Sequence, residues 1–408
     1  MTDRAAGQSD RANDWDRSGL PAWTYHSPAF LELEKQELFR SHWQLAGHVS
    51  DVPNPGDFFT VDIADDRALI VRGEDNLVRA FHNLCRHRGS RVAAEKRGHC
   101  KNALVCPFHG WVYNFDGTLR GAARPQTFGD LDKLKFGLKP VETEIWNGFV
   151  FFRFMSGPQA RVAETMAPYA RELADYRLHE VVPTGSIFEV EIPVNWKSVR
   201  DVDNEGYHVA MAHPALQDLY GASYADQPYV NGVSRSLGFF NPHAGRRWSV
   251  RNYVALAHDQ PLLPEDKRKV WGYYGLFPNA VLAVTPELVQ FYQEFPLGVG
   301  RTLVRGAVYR RPVENRNQRL ARYLARRIDR ETYREDIQLS VWSNESMKSS
   351  GFDGFHLSDL EKGVRSHHDH IRAILPVTTL TKRPAEEQIE ALNELMRKAD
   401  APQDSAVA

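Results

Sequence analysis

Cysteine is nearly absent from this chain: three residues in 408, too few for a disulfide scaffold. No run of about 18 apolar residues occurs, which excludes an ordinary membrane-spanning helix. The polar start MTDRAAGQSDRANDWDRSG lacks the apolar segment of a secretory signal, so a cytoplasmic location with no membrane partner is expected. Neither charge sign dominates, with 51 Lys and Arg against 52 Asp and Glu, and nucleic acid is not an expected partner. Glycine-rich phosphate loops of the G-x-G-x-x-G or Walker type are also missing, so any nucleotide chemistry must sit on another protein. What is there, 42% apolar and 25% charged residues, is ordinary globular composition over a length that allows two or three domains.

Patterning divides the chain. Residues 1–18 and 399–408 are rich in Ala, Ser, Asp and Gln with little to bury, and are expected to be disordered tails. Over 41–150, short alternating runs (FFTVDIADD, RALIVRGEDN, LVRAFHN) cut by turn residues predict a small all-β domain, with Asp116-Gly117 as a hairpin turn. Residues 151–398 mix strands such as VWGYYGLFP and RTLVRGAVYRR with helices at Leu320 to about Lys348 and Ala385 to Lys398. Leu392 and Met396 share one stripe of the last helix. Residues 19–40 are expected to add a helical segment to this larger domain. The expected class is α+β: a small all-β domain, and a larger one whose antiparallel sheet is flanked by helices.

Two short clusters, Cys85-Arg-His87 and Cys106-Pro-Phe-His109, flank an 18-residue spacer, 88–105. A zinc site with two Cys and two His is the rival reading, but zinc fingers usually pair Cys with Cys and then His with His. Here each half offers one of each, as a Rieske-type [2Fe-2S] cluster between two similar loops requires: thiolates on one iron, imidazoles on the other. That ligand set raises the reduction potential from about −400 mV into a range of roughly −150 to +300 mV. Gly89 and Gly110 follow the two ligand pairs and permit tight turns. Cys100 reads as a small packed residue. Arg86, Arg88, Arg91, Lys96, Arg97 and Lys101 are either ordinary solvated charges or a docking rim for an acidic electron donor.

Downstream, NWKSVRDVDNEGYHVAMAHPAL holds His208 and His213 with Asp201, Asp203 and Glu205 just ahead. Two imidazoles and a carboxylate on one face of Fe(II) leave positions open for O2 and substrate. On one helix, His208 and His213 would point about 140° apart, so a bulge or helix end must separate them. Asp201, Glu205 and His208 fall on one helical stripe.

Taken together, CRHRG at 85–89, CPFHGW at 106–111, NWK at 195–197 and E-x-Y-H-x4-H at 205–213 resemble the catalytic α component of the Rieske non-haem iron oxygenases of the ring-hydroxylating type. The likeness extends over roughly Trp43 to Pro376. It implies that Cys85, His87, Cys106 and His109 hold the cluster and that His208 and His213 bind the mononuclear iron. Asp336 is the match for the family's third ligand, with Glu335 as near rival and Glu345 and Asp353 as poorer fits. Glu205 stands where the family places a carboxylate linking the cluster of one subunit to the iron site of the next. A glutamate there resembles the members acting on methylated amines and quaternary ammonium compounds. Asp201 stands where many aromatic dioxygenases carry Asn, and both positions are candidate catalytic residues.

The resemblance further implies a homotrimer, with or without a β subunit, and electrons from NAD(P)H through a separate reductase, with or without a ferredoxin. The reaction would use O2 to hydroxylate an aromatic or other small organic substrate, or to demethylate a methylated amine. A non-catalytic Rieske electron-transfer protein is the alternative of another class. Trp248, Tyr253, Trp271, Tyr273, Tyr292 and Phe295 are candidates to line the cavity, where a planar arene or a cation held over ring faces could be accommodated.

Overall fold

The computed structural model describes residues 15–157 and 159–400. Most of both expected tails lies outside the described residues. Residues 15–18 correct the expectation for the N-terminal one: Trp15 Nε1 donates to Asp359 Oδ1 at 2.8 Å, and Arg365 donates to the carbonyls of Asp16 and Ser18 at 2.6 and 2.8 Å. Local composition cannot register such partners, which lie 344 positions away for Trp15.

The first half is all β. Strands β1 (Gln44–His48), β2 (Asp57–Ile63), β3 (Asp66–Arg72), β4 (Val78–His82), β5 (Arg97–His99), β9 (Pro140–Trp146) and β10 (Phe149–Arg153) form an antiparallel sheet in the order β1-β10-β9-β4-β3-β2-β5. Its central members are apolar on both faces because helices and a second sheet cover them. A smaller sheet, β6 (Leu104–Val105), β7 (Val112–Tyr113) and β8 (Leu119–Gly121), stands at one end, with the Asp116-Gly117 turn joining its last two strands. Gly117 sits at φ +87°, a conformation open to glycine at little cost.

The second half is built on an eight-stranded antiparallel sheet: β11 (Val182–Pro183), β12 (Phe188–Ile192), β13 (Tyr224–Val230), β14 (Val233–Phe239), β15 (Val270–Leu276), β16 (Ala280–Val284), β17 (Val289–Gly298) and β18 (Arg301–Arg310). Seven run in the order β11-β18-β17-β16-β15-β14-β13, and β12 also pairs with β18. Successive residues of a strand point to opposite faces. On β17 this sends Phe291, Gln293 and Phe295 one way, and Gln290, Tyr292 and Glu294 the other, toward the helices. Helices of seven or more residues are α1 (Pro28–Glu34), α2 (Trp196–Asp203), α3 (Pro214–Tyr220), α4 (Trp248–Ala257), α5 (Arg316–Ser346), α6 (Lys362–Ile374) and α7 (Ile389–Asp400). Asn315 caps α5 in a reciprocal capping box with Gln318.

One apolar core joins the halves. Phe30, Leu38 and Phe39 from the N-terminal helical segment pack with Val61, Ile63 and Ile70 of the first sheet and with Trp196, Phe295, Ile371 and Leu375 of the second half. Among the described residues no helix is long and apolar enough to cross a membrane.

Candidate active site

β4 and β6 each run into a tight loop carrying one cysteine and one histidine, and the two loops repeat one hydrogen-bond scheme. Cys85 N donates to Ser90 O at 2.7 Å and Gly89 N to Cys85 O at 3.0 Å; Cys106 N donates to Trp111 O at 2.8 Å and Gly110 N to Cys106 O at 3.0 Å. Gly89 and Gly110 take φ of +77° and +68°, which a Cβ would strain. Both cysteines are buried free thiols, and burial pushes the Cys85 thiol up, helped by Cys106 alongside. Tyr113 accepts the Arg86 amide at 3.0 Å and turns its hydroxyl to Cys85 Sγ at 3.3 Å. The His87 and His109 rings lie 4.7 Å apart, and Trp111 stacks flat on His87 at 5.3 Å. A single zinc would gather all four donors within about 4 Å of one another. Among the described residues the only group of three or more such donors meeting within 4.8 Å is a different one, so these four suit the wider span of a two-iron cluster.

The basic rim is less free than its composition implies. Arg91 and Lys96 are tied to Asp62 and Glu189, whereas Arg88 covers the Phe108 ring at 4.6 Å and comes within 3.4 Å of His109 Nε2. Cys100 lies in neither loop and packs half-buried, its amide donating to Gly56 O at 2.9 Å.

The group that does meet within 4.8 Å is His208, His213 and Asp336. Helix α2 stops at Asp203, a single turn spans Val209–Ala212, and His213 breaks out at φ −117°, ψ 80° before Pro214 opens α3. This break reorients the chain between the two imidazoles, which an unbroken helix would hold apart. Their Nε2 atoms are 2.9 Å from one another, and Asp336 Oδ1, from α5, lies 2.8 Å from His213 Nε2 and 3.4 Å from His208 Nε2.

Each imidazole is also held from behind. His208 Nδ1 meets Glu205 Oε1, and His213 Nδ1 meets Glu335 Oε2 at 2.8 Å. A carboxylate only accepts, so both Nδ1 atoms carry protons, and each Nε2, aimed at Asp336, is the position that takes either a second proton or a metal ion. Three acceptors facing one point repel unless a cation lies among them, so the donor set fits a divalent metal. The electrostatics agree. Burial disfavours charge on His208, but Asp336 and Glu205 outweigh it and lift its pKa to about 10; His213 is likewise raised. Burial opposes the Asp336 carboxylate too, yet the two imidazoles hold its pKa below the usual range.

Asp336 and its rival Glu335 thus both reach the site, on different nitrogens. Asp201 does not. It accepts from Tyr25 Oη at 2.6 Å and faces His368 Nε2 at 2.8 Å, because the end of α2 at Asp203 destroys the helical phase that would align it with Glu205 and His208.

The donors open into a cavity of about 300 Å3 between the second sheet, α2 and α5. Of the six expected aromatics, Tyr273 and Tyr292 line it. Tyr253, Trp271 and Phe295 are buried core, and Trp248 is exposed. Tyr220, Tyr224 and Tyr333, with Glu294, Asp329 and Arg326, line it without having been anticipated. One signal was available: Asp329, Tyr333 and Ser340 share the helical stripe of Asp336 at i−7, i−3 and i+4. The Tyr220 and Tyr224 rings lie 5.9 Å apart, and the hydroxyls of Tyr220 and Tyr273 are 3.3 Å apart.

The family model of the Rieske [2Fe-2S] domain matches residues 42–135, and that of the ring-hydroxylating alpha subunit catalytic domain matches residues 173–376, half of the chain. The chain belongs to the ring-hydroxylating alpha subunits. As a member of this family of Rieske non-haem iron oxidoreductases, it combines a [2Fe-2S] domain with a non-haem iron domain. The glycine betaine monooxygenase oxygenase subunit of Chromohalobacter salexigens is 37% identical over 53% of this chain, and the carnitine monooxygenase oxygenase subunit of Escherichia coli is 28% identical over 84%. The matched stretch spans about half of the first relative, 48%, and 88% of the second. Among solved structures, the quaternary ammonium Rieske monooxygenase CntA with L-carnitine superposes with a TM-score of 0.72 at 23% identity, covering 89% of this chain and 97% of that one. Naphthalene 1,2-dioxygenase from Rhodococcus sp. gives 0.68 at 17% identity, covering 90% and 95%.

Proposed function

We propose that this alpha subunit is the terminal oxygenase of a multicomponent system and that it oxidises an N-methyl group of a methylated ammonium compound, releasing formaldehyde. The observation that carries this reading is a metal-type donor set opening into a small cavity walled by tyrosines. Cations are attracted to aromatic rings, and Tyr220, Tyr224, Tyr273 and Tyr292 line the cavity beside the carboxylates of Asp203 and Glu205. The names of two relatives, glycine betaine and carnitine monooxygenase subunits, point the same way. Ring hydroxylation is the second reading, favoured by the apolar wall of Val190, Ile192, Val199 and Val304. The intact donor set weighs against a non-catalytic electron carrier.

Cys85, His87, Cys106 and His109 would hold the [2Fe-2S] cluster, and His208, His213 and Asp336 a ferrous ion. When bound, these groups supply single electrons and oxygen activation. The chain's own residues orient and exclude: Glu205 and Glu335 fix both imidazoles, and the tyrosines keep water from the substrate. We infer that the electrons come from NAD(P)H through a reductase, with or without a ferredoxin, in the cytoplasm. A homotrimer in which Glu205 joins the His87–His109 end of one subunit to His208 of the next is supported by exposed apolar side chains at both places. Phe108 beside His109 is 54% exposed, and Met211 beside His208 is 90% exposed.

The test supplies the purified chain with a Rieske-type reductase, NADH and air, then assays methylated ammonium compounds for formaldehyde and aromatic compounds for hydroxylated product. Formaldehyde release coupled to NADH oxidation is expected; hydroxylated arene without formaldehyde would favour the second reading.

A further inference from the structure

We infer that Arg326, assisted by Arg330, anchors an anionic group of the substrate at the end of the cavity remote from Asp336. This deepens the reading of a methylated ammonium substrate and rests on the same cavity. The substrate class becomes a zwitterion, its methylated cation toward the metal-type donors and its carboxylate or comparable anion toward the arginines.

Helix α5 carries seven arginines; two are paired, Arg316, Arg319, Arg330 and Arg334 are exposed, and Arg326 alone is both half-buried and without a partner among the described residues. Arg322 pairs with Glu314 at 2.8 Å and Arg327 with Glu331 at 3.4 Å. Arg326 lines the cavity half-buried and, among the described residues, makes no hydrogen bond and no ion pair within 4.0 Å. Burial lowers its pKa, and the attraction of Asp329 offsets only part of that cost. A guanidinium partly withdrawn from water and left without a fork-shaped acceptor is a costly arrangement, which a bidentate carboxylate relieves. Asp329 attracts Arg326 but stays beyond ion-pair distance of it, with its Oδ1 accepting from Gln290 Nε2 at 3.3 Å.

The cavity is polarised along α5. Arg330 and Arg326 precede Asp336 by six and ten residues, or about 9 and 15 Å of helix at 1.5 Å per residue. At the other end the carboxylates of Asp203, Glu205 and Asp336 line the cavity, with Arg200 paired to Asp203 at 2.9 Å and the Glu294 carboxyl pushed up to about 8 by burial, so the carboxylates gather at that end and the guanidiniums of Arg326 and Arg330 at the other. A molecule with one charge of each sign has a preferred orientation in such a field. The orientation places its methylated end by His208, His213 and Asp336.

Anaerobic titration calorimetry on the iron-loaded enzyme, without reductant, tests the anchor separately from turnover. The probes are a trimethylammonium carboxylate and its methyl ester, and benzoate with methyl benzoate. In at least one series the acid is expected to bind about tenfold or more tightly than its ester, which is about 1.4 kcal/mol. Arg326→Gln should bring that ratio near one, Arg326→Lys should retain part of it, and Arg330→Gln should reduce it by less. The visible cluster spectrum and iron content should stay unchanged in all three variants, which separates a lost anchor from a misfolded chain. Equal binding of acid and ester in both series, or a ratio untouched by Arg326→Gln, overturns the anchor. An Arg326-dependent preference confined to benzoate, with no formaldehyde from any ammonium compound, keeps the anchor and removes the demethylation reading. Formaldehyde from acid and ester alike, with equal binding, does the reverse.

Discussion

His213 is gripped from two sides: Glu335 takes its Nδ1 at 2.8 Å, and Asp336, the next residue of the same helix, lies 2.8 Å from its Nε2. Adjacent residues of a helix diverge by about 100°, so one carboxylate can face the cavity while the other passes behind the ring. The two should therefore fail differently. Asp336→Asn is expected to abolish mononuclear iron binding. Glu335→Gln should weaken it by roughly 10- to 100-fold, the usual cost of losing a partner behind a ligand. His208→Ala should lower the iron content from about three to about two per chain with the cluster absorbance intact. Metal analysis beside the visible spectrum decides each case, and a bleached cluster in any variant would contradict the separation of the two centres.

Between elements, the telling contacts are buried charges. Lys197 at the start of α2 and Glu34 at the end of α1 form an ion pair at 2.6 Å with both side chains fully buried, and Trp196 Nε1 adds a hydrogen bond to Glu34 at 3.1 Å. Removing one partner strands the other, so Lys197→Met is expected to cost roughly 3–5 kcal/mol in denaturant unfolding, and adding Glu34→Gln should recover much of it. The turn between β16 and β17 behaves differently. Burial pushes the Glu287 carboxyl up to about 7, against hydrogen bonds from Thr285 and Tyr253. The folded chain then binds that proton more tightly than the unfolded chain, so its stabilising contribution is full below the ordinary value of 4.5 and is lost as pH rises through about 7. Glu287→Gln should match wild type at about pH 4 and exceed it by up to roughly 3 kcal/mol at about pH 8. Thermal melts across that range check the sign; a gain at acid pH instead would show that the carboxyl is not protonated by burial.

At the level of the whole molecule, the halves share a core. Val61, Ile63 and Ile70 of the first sheet pack against Ile371 and Leu375 near the C-terminal end, with Phe30 and Phe39 between. Apolar area of this kind cannot be exposed on one side alone, so the halves should unfold together. Loss of cluster absorbance and loss of far-ultraviolet ellipticity are expected at the same denaturant concentration; two separated transitions would show that the shared core couples them weakly.

The cluster loops, the histidine pair and the α+β class were all legible in the residue order. Ligands two or three positions apart act within one loop, and strand and helix periods are local. The same locality explains why Asp201 misled: its stripe with His208 presumes a helix that in fact ends at Asp203. The approach of Asp336, 123 residues beyond His213, required the resemblance to place it, and its division of labour with Glu335 emerged only once α5 had packed against the turn at His208. Likewise Arg326 reads in sequence as one solvated charge among many, and only packing leaves it half-buried beside the cavity and, among the described residues, unpaired. Chain order alone determined which chemical groups this protein carries, because donor type and short spacing are written locally. Tertiary structure decided which of them meet, which are left without a partner and what shape of molecule they face, because those depend on distances between segments far apart along the chain.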